Sequence, residues 1–192
     1  MLQNYPITNA SFHYKFPPFL NKFAKPVENY LTENRYDDRY DGICTGAFTL
    51  DNMGKMLIVQ RADTDSWPGR WEIPGGACEA TDKTILDGMV REMWEESGLI
   101  VTNIVGVLNN EGKSFTSRRR KRYLKFEFEV EIEPSNEIRL NPAEHKAFMW
   151  ITEEEFHARK KDDSDITFQF TTELQADSVR EVFQLWKKRT AN

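Results

Sequence analysis

The sequence predicts one α/β domain preceded by an aromatic-rich N-terminal extension, and three observations predict it. Strict alternation of apolar and polar residues from Leu124 to Ile132 reads as a strand. Two stretches, before Gly98 and before the C-terminal basic cluster, carry apolar residues at helical spacing. The chain has 192 residues, enough for one domain with a real core and short for two. The boundaries read as an extension over 1–40 and a domain over 41–192.

In the extension, Pro6, Pro17, Pro18 and Pro26 break any long helix. Pro26 is placed to open a short helix with Val27, Tyr30 and Leu31 on one face. Phe16, Phe19 and Phe23 are expected to pack the extension on the domain, where it would line a substrate pocket or make a homodimer contact; the sequence does not choose. Strands follow at Ile43–Leu50 and Met56–Arg61, joined by the hairpin-type turn Asp51-Asn52-Met53-Gly54. A polar loop, Asp63 to Arg70, leads through Trp71-Glu72-Ile73 into a glycine turn at Gly75-Gly76.

The helix after that turn should start near Lys83 with Asp82 as N-cap, and bury Leu86, Val90 and Met93. Gly88 in its middle costs about 1 kcal/mol relative to Ala, which suggests close packing by another element. Ile100–Leu108 should pair with Leu124–Ile132, whose polar face, Lys125 to Glu131, is wet or functional. Ala147–Ile151 is a further strand, and Thr152-Glu153-Glu154-Glu155 a capping box for a short helix carrying Phe156. Beyond an acidic, mobile-looking connection at 160–165, a helix from about Thr172 to Lys188 buries Leu174, Val179, Val182, Phe183 and Trp186.

A formal charge of −5 argues against general affinity for nucleic acid or anionic membrane, so a polyanion would have to be met locally. Two cysteines, Cys44 and Cys78, are too few for a disulfide framework and fit a reducing compartment. With neither a secretory pattern nor eighteen consecutive apolar residues, the expected location is cytoplasmic, without a membrane partner. The Asn9-Ala10-Ser11 acceptor tripeptide then carries no meaning.

The chemistry concentrates in the helix after the glycine turn. Glu92, Glu95 and Glu96 stand at i, i+3 and i+4, so their carboxylates share one face, close to a common point. Like charges that close push apart unless a cation sits among them, and oxygen-only donors suit a hard divalent ion. The plain alternative is a solvated acidic face with an ordinary Arg91–Glu95 pair.

The ordered set Gly76, Arg91, Glu92, Met93, Glu95, Glu96, Gly98, Leu99 resembles the signature of the Nudix hydrolase superfamily, Gly-x5-Glu-x7-Arg-Glu-(apolar)-x-Glu-Glu-x-Gly-(apolar). Its second half is matched in full. In the first half one residue is inserted and the Glu position falls on Asp82 or Lys83. Over about residues 41–190 the resemblance implies a Nudix-type α/β/α sandwich with a mixed central sheet. It also implies a hydrolase that uses Mg²⁺ or Mn²⁺ to split a small-molecule diphosphate by water attack on phosphorus. The implied ligands are Glu92, Glu95, Glu96 and the Gly76 carbonyl, with Arg91 holding Glu95 or a loop carboxylate in place. The general base is left between Glu92 and Glu144, and His145 reads as structural or exposed. Arg61 and Arg70 are the candidate substrate contacts, while Trp67, Trp71 and Phe115 offer stacking faces or core.

Two other functions compete. The divergent first half of the signature suits a catalytically silent Nudix-fold module that binds a nucleotide or a protein. The basic run Arg118 to Arg122 suits RNA cap or 5′-end hydrolysis, although five basic residues at a strand entrance are more often a solvated loop.

Overall fold

The computed structural model describes residues 12–134, 137–162 and 164–190. The Asn9–Ser11 tripeptide lies outside them, as does Asp163 of the acidic connection. A 3₁₀ turn at Pro18–Phe23 and helix α1, Val27–Glu33, come first. They are followed by strands β1 (Gly42–Phe48), β2 (Met56–Arg61) and β3 (Trp71–Glu72), and then by helix α2 (Ile85–Ser97). Strands β4 (Val101–Val107), β5 (Lys113–Thr116), β6 (Arg122–Ile132) and β7 (His145–Ile151) lead to helices α3 (Glu153–Ala158) and α4 (Glu173–Thr190).

The strands divide into two sheets. In the mixed one, β6 pairs parallel with β1 and antiparallel with β4 and β5. In the other, β2 lies antiparallel between β3 and β7. The turn at 51–54 therefore does not join a hairpin of one sheet; it passes the chain between sheets, with Leu50–Met56 as an isolated bridge. The β5 strand had no alternation long enough to announce it, and the basic run forms its turn into β6.

One core lies between the mixed sheet and α2, and the N-terminal segment completes it. Leu20, Phe23, Tyr30 and Leu31 share it with Leu86, Val90, Met93, Phe126 and Phe128. Phe19 instead is 61% exposed, because the 3₁₀ turn sends adjacent side chains to different sides. The second core joins the three-stranded sheet to α3 and α4 through Ile58, Trp71, Phe156, Val182 and Phe183. Leu174, expected inside, is 51% exposed at the first turn of α4, where Gln175, Ala176 and Ser178 turn inward.

The polar face of β6 is not simply wet. Glu127 is 4% exposed under α4, accepting from Ser178 Oγ at 2.5 Å and Gln175 Nε2 at 3.3 Å, with Lys113 Nζ at 3.4 Å. Helices thus cover both faces of the mixed sheet, the α/β/α arrangement. The capping box at Thr152 forms as its sequence demands, with Thr152 Oγ1 and the Glu155 side chain capping reciprocally. Among the described residues no helix is long and apolar enough to cross a membrane.

Candidate active site

The site forms where the chain leaves β3 and threads beneath β1. Ala47 N–H donates to the Pro74 carbonyl at 2.9 Å, Thr45 N–H to Gly76 at 2.8 Å, and Cys78 N–H to Ile43 at 2.9 Å, lacing the glycine turn along the strand. Gly75 has φ +150°, and a Cβ there would stand 2.3 Å from the Thr45 carbonyl oxygen. A Cβ on Gly76 would stand 2.6 Å from Glu92 Oε2, so any larger residue there would displace that carboxylate. The Gly76 carbonyl, a candidate ligand, is engaged by Thr45.

Helix α2 starts two residues later than the sequence suggests. Thr84 is its N-cap, accepting from Asp87 N–H at 3.0 Å, and Gly98 closes it in the left-handed conformation. Asp82, freed from capping, has a different partner: its carboxylate takes Arg91 Nε at 2.9 Å and Nη2 at 3.0 Å. A Cβ on Gly88 would stand 2.7 Å from Asp82 Oδ2 and 2.9 Å from Cys78 Sγ, which is the close packing that its place in mid-helix suggested. The residue standing at one count of the signature's first Glu therefore ties the loop to the helix.

Arg91 is the hub. Its Nη1 donates to Glu92 Oε1 at 2.9 Å and Glu95 Oε2 at 2.7 Å, and its Nη2 also donates to the Ala77 carbonyl at 3.1 Å. The expected convergence of Glu92, Glu95 and Glu96 is consequently split. Glu92 and Glu95 meet on the guanidinium, whereas Glu96, 6% exposed, turns away to accept from Gly75 N–H at 2.6 Å. Helical spacing gave the shared face, but it could not show which donors would claim each carboxylate.

What joins Glu96 comes from 45 residues further along. Arg139 N–H donates to the Ser97 carbonyl at 2.7 Å and Asn141 N–H to that of Glu96 at 3.4 Å, docking the segment before β7 on the end of α2. A turn on Asn141 then presents Glu144 and His145, and Ala62 N–H holds the Glu144 carbonyl at 2.7 Å. Glu96, Glu144 and His145 each offer a ligand atom, all within 4.8 Å of one another. Burial, with Glu72, Glu92 and Glu144 nearby, raises the Glu96 carboxyl well above its ordinary value. Burial likewise pushes Glu92 up to about 7 against the pull of Arg91, and raises Glu144. Buried carboxylates that resist ionisation together are what a divalent cation would stabilise, so the donor set fits one.

The flanking residues are already engaged. Arg61 pairs with Glu72, Asp65 and Ser66, and Arg70 Nη1 with Gln169. Trp71 is core, Phe115 stacks on Tyr123, and Trp67 is half-exposed with the Arg118 guanidinium 4.7 Å from its ring centre. Burial pushes the Cys44 thiol up to about 12 and raises that of Cys78, so neither is a ready nucleophile. Sequence reasoning missed Glu72 and the inward set of His145. The signal for the latter was there: the alternation Ile151, Met149, Ala147 extends back to His145, the first inward position of β7.

Comparison with known proteins agrees with this architecture. The NUDIX domain model matches residues 42–172. A MutT-like protein of Streptomyces ambofaciens is 32% identical over 108 residues, 55% of this chain, and the match spans only 60% of that relative. The MutT protein of Methanosarcina mazei Go1 superposes with a TM-score of 0.56 at 19% identity, covering 79% of this chain and 96% of that one. A MutT NUDIX hydrolase from Burkholderia pseudomallei gives 0.54 at 19% identity, covering 72% and 97%. With its fold matched, its signature helix in place and two-thirds of its length within the domain model, the chain belongs to the NUDIX domain family.

Proposed function

We propose that the protein hydrolyses a diphosphate linkage in a nucleoside diphosphate derivative or a related small organic pyrophosphate, using Mg²⁺ or Mn²⁺. The observation that supports this most is the cluster of buried Glu96 and His145 with half-buried Glu144, beside Glu92 and the glycine turn, its carboxyl groups raised by burial and by one another. A divalent ion bound there supplies neutralisation of phosphate charge and acidification of water.

In this reading Glu96 marks the ion's place, and Glu92, Glu95 and the Gly76 carbonyl, engaged here by Arg91 and by Thr45 N–H, would turn to the ion when it binds, with Arg91 positioning Glu92 and Glu95. Among the described residues the Glu144 carboxylate has no hydrogen-bond partner, whereas Glu92 is held by Arg91. Glu144 is thus the freer group to take a proton from the attacking water, within reach of Glu96. For Arg61 or Arg70 to meet a phosphate, it would exchange its present acceptors for phosphate oxygens. We read 1–40 as an extension to a 41–192 domain, a reading supported by the core packing of Leu20, Phe23, Tyr30 and Leu31 from its described part, and the unpaired thiols suit the cytoplasm.

The silent-module alternative drew its support from the missing signature glutamate. Asp82 now supplies a bidentate partner for Arg91, so that departure no longer argues for loss of activity. The test is a Mg²⁺ and Mn²⁺ screen over nucleoside triphosphates, dinucleoside polyphosphates, nucleotide sugars and isoprenoid diphosphates in ¹⁸O-water, with products identified by mass. Metal-dependent release of one ¹⁸O-labelled phosphorylated fragment supports the proposal; binding without turnover across the panel supports the silent module.

A further inference from the structure

We propose that His145 is itself a metal ligand, so that Glu96, Glu144 and His145 form a mixed oxygen and nitrogen cradle that selects Mn²⁺ over Mg²⁺. This rests on the proposed function in placing an ion at the same cluster, and it adds the nitrogen donor and the ion's identity.

The imidazole is 1% exposed, and its Nδ1 has no hydrogen-bond partner among the described atoms. A buried ring nitrogen left unpaired demands an explanation. Its Nε2 lies 3.2 Å from Glu72 Oε1, and the same carboxylate is paired with Arg61. With Nε2 beside the Glu72 carboxylate, Nδ1 is the ring nitrogen left open to a ligand. A carboxylate behind the far nitrogen is also the arrangement that orients metal-binding histidines and raises their basicity.

The backbone fixes this geometry. A register shift between Gln60 and Arg61 sets His145 opposite Arg61, at the point where β7 begins. Glu144 and His145 are further held by the Asn141 carbonyl through both their N–H groups, at 3.0 and 2.8 Å. Three ligand atoms gathered within 4.8 Å, one of them nitrogen, suit a first-row transition ion, because Mg²⁺ takes oxygen donors almost exclusively.

The experiment is pulsed electron paramagnetic resonance on the full chain loaded with Mn²⁺. The wild type should show the coupling of a directly bound ¹⁴N, converted to a ¹⁵N pattern when the protein is grown on ¹⁵N-histidine. Because the chain has three histidines, the variants H13Q and H157Q should keep the coupling and H145Q should lose it. H145Q should also bind Mn²⁺ at least about tenfold more weakly, with a smaller change for Mg²⁺. No nitrogen coupling in the Mn²⁺-loaded wild type, or coupling retained in H145Q, overturns the proposal. Should H145Q fail to fold, the labelled wild type and the other two variants still decide: coupling lost in H13Q or H157Q overturns it. Diphosphate turnover without nitrogen coupling would sink the His145 ligand and spare the hydrolase; coupling without turnover would do the reverse.

Discussion

Replacing Arg91 with methionine removes the cation while keeping most of the buried stem. The guanidinium makes five hydrogen bonds, two of them to Asp82, whose side chain is 6% exposed. Without it Asp82 keeps, among the described residues, the Glu79 N–H at 2.7 Å. Breaking a buried pair from one side costs about 3–5 kcal/mol. A separate bound gives a similar figure, since neutralising a carboxyl of ordinary acidity at pH 7 costs about 4 kcal/mol. The expected loss is therefore about 4 kcal/mol, which for a chain of this size lowers Tm by roughly 10 °C. Urea unfolding in EDTA at pH 7 and again at pH 5 measures it. The loss should shrink at pH 5, where neutralisation costs only about 1.5 kcal/mol. A loss under about 1 kcal/mol at pH 7, or one equal at both pH values, would show that Arg91 does not compensate buried charge.

The acidic cluster should make the metal-free protein less stable as pH rises. Glu92 titrates near 7 in the fold against about 4.5 unfolded, so the native state holds the extra proton and stability falls between those values. The Glu92 share is at most about 3 kcal/mol, and Glu96 and Glu144 add in the same direction. Thermal melts from pH 5 to 8 in EDTA check this, and E92Q should flatten the slope. Gly76→Ala should displace the Glu92 carboxylate, 2.6 Å from the new Cβ, and weaken Mn²⁺ binding by calorimetry while the protein remains folded by circular dichroism. Neutralising Arg118 to Lys121 should leave nucleic-acid retention in low-salt filter binding unchanged; a large loss with a flattened salt dependence would reinstate an RNA substrate.

Most of the fold was legible because its signals are local. The alternation of β6, the stripe of α2, the capping box of α3 and the proline-led start of α1 are fixed by neighbours in sequence. What escaped depends on distant partners. Asp82 reads as an N-cap until Arg91 claims it, and the polar face of β6 reads as wet until α4 covers Glu127. The short β5 carries too few residues to show a period. In the site the sequence shows which acids share a helix face, but not that Gly75 N–H turns Glu96 toward a segment 45 residues away. Glu144 was visible as a loop acid and His145 beside it as structural or exposed; its place among the site's donors was not, because the strand seemed to begin two residues later than it does.

The central claim is that the carboxylates of α2 and the Asn141 turn share one divalent ion. Anomalous scattering from a crystal soaked in Mn²⁺ and recorded on both sides of the manganese edge tests it most directly. The account predicts a peak within coordinating distance of Glu96 and Glu144, absent from E96Q crystals treated alike. Peaks confined to surface carboxylates, or a guanidinium of Arg91 filling the place of the ion, would contradict it.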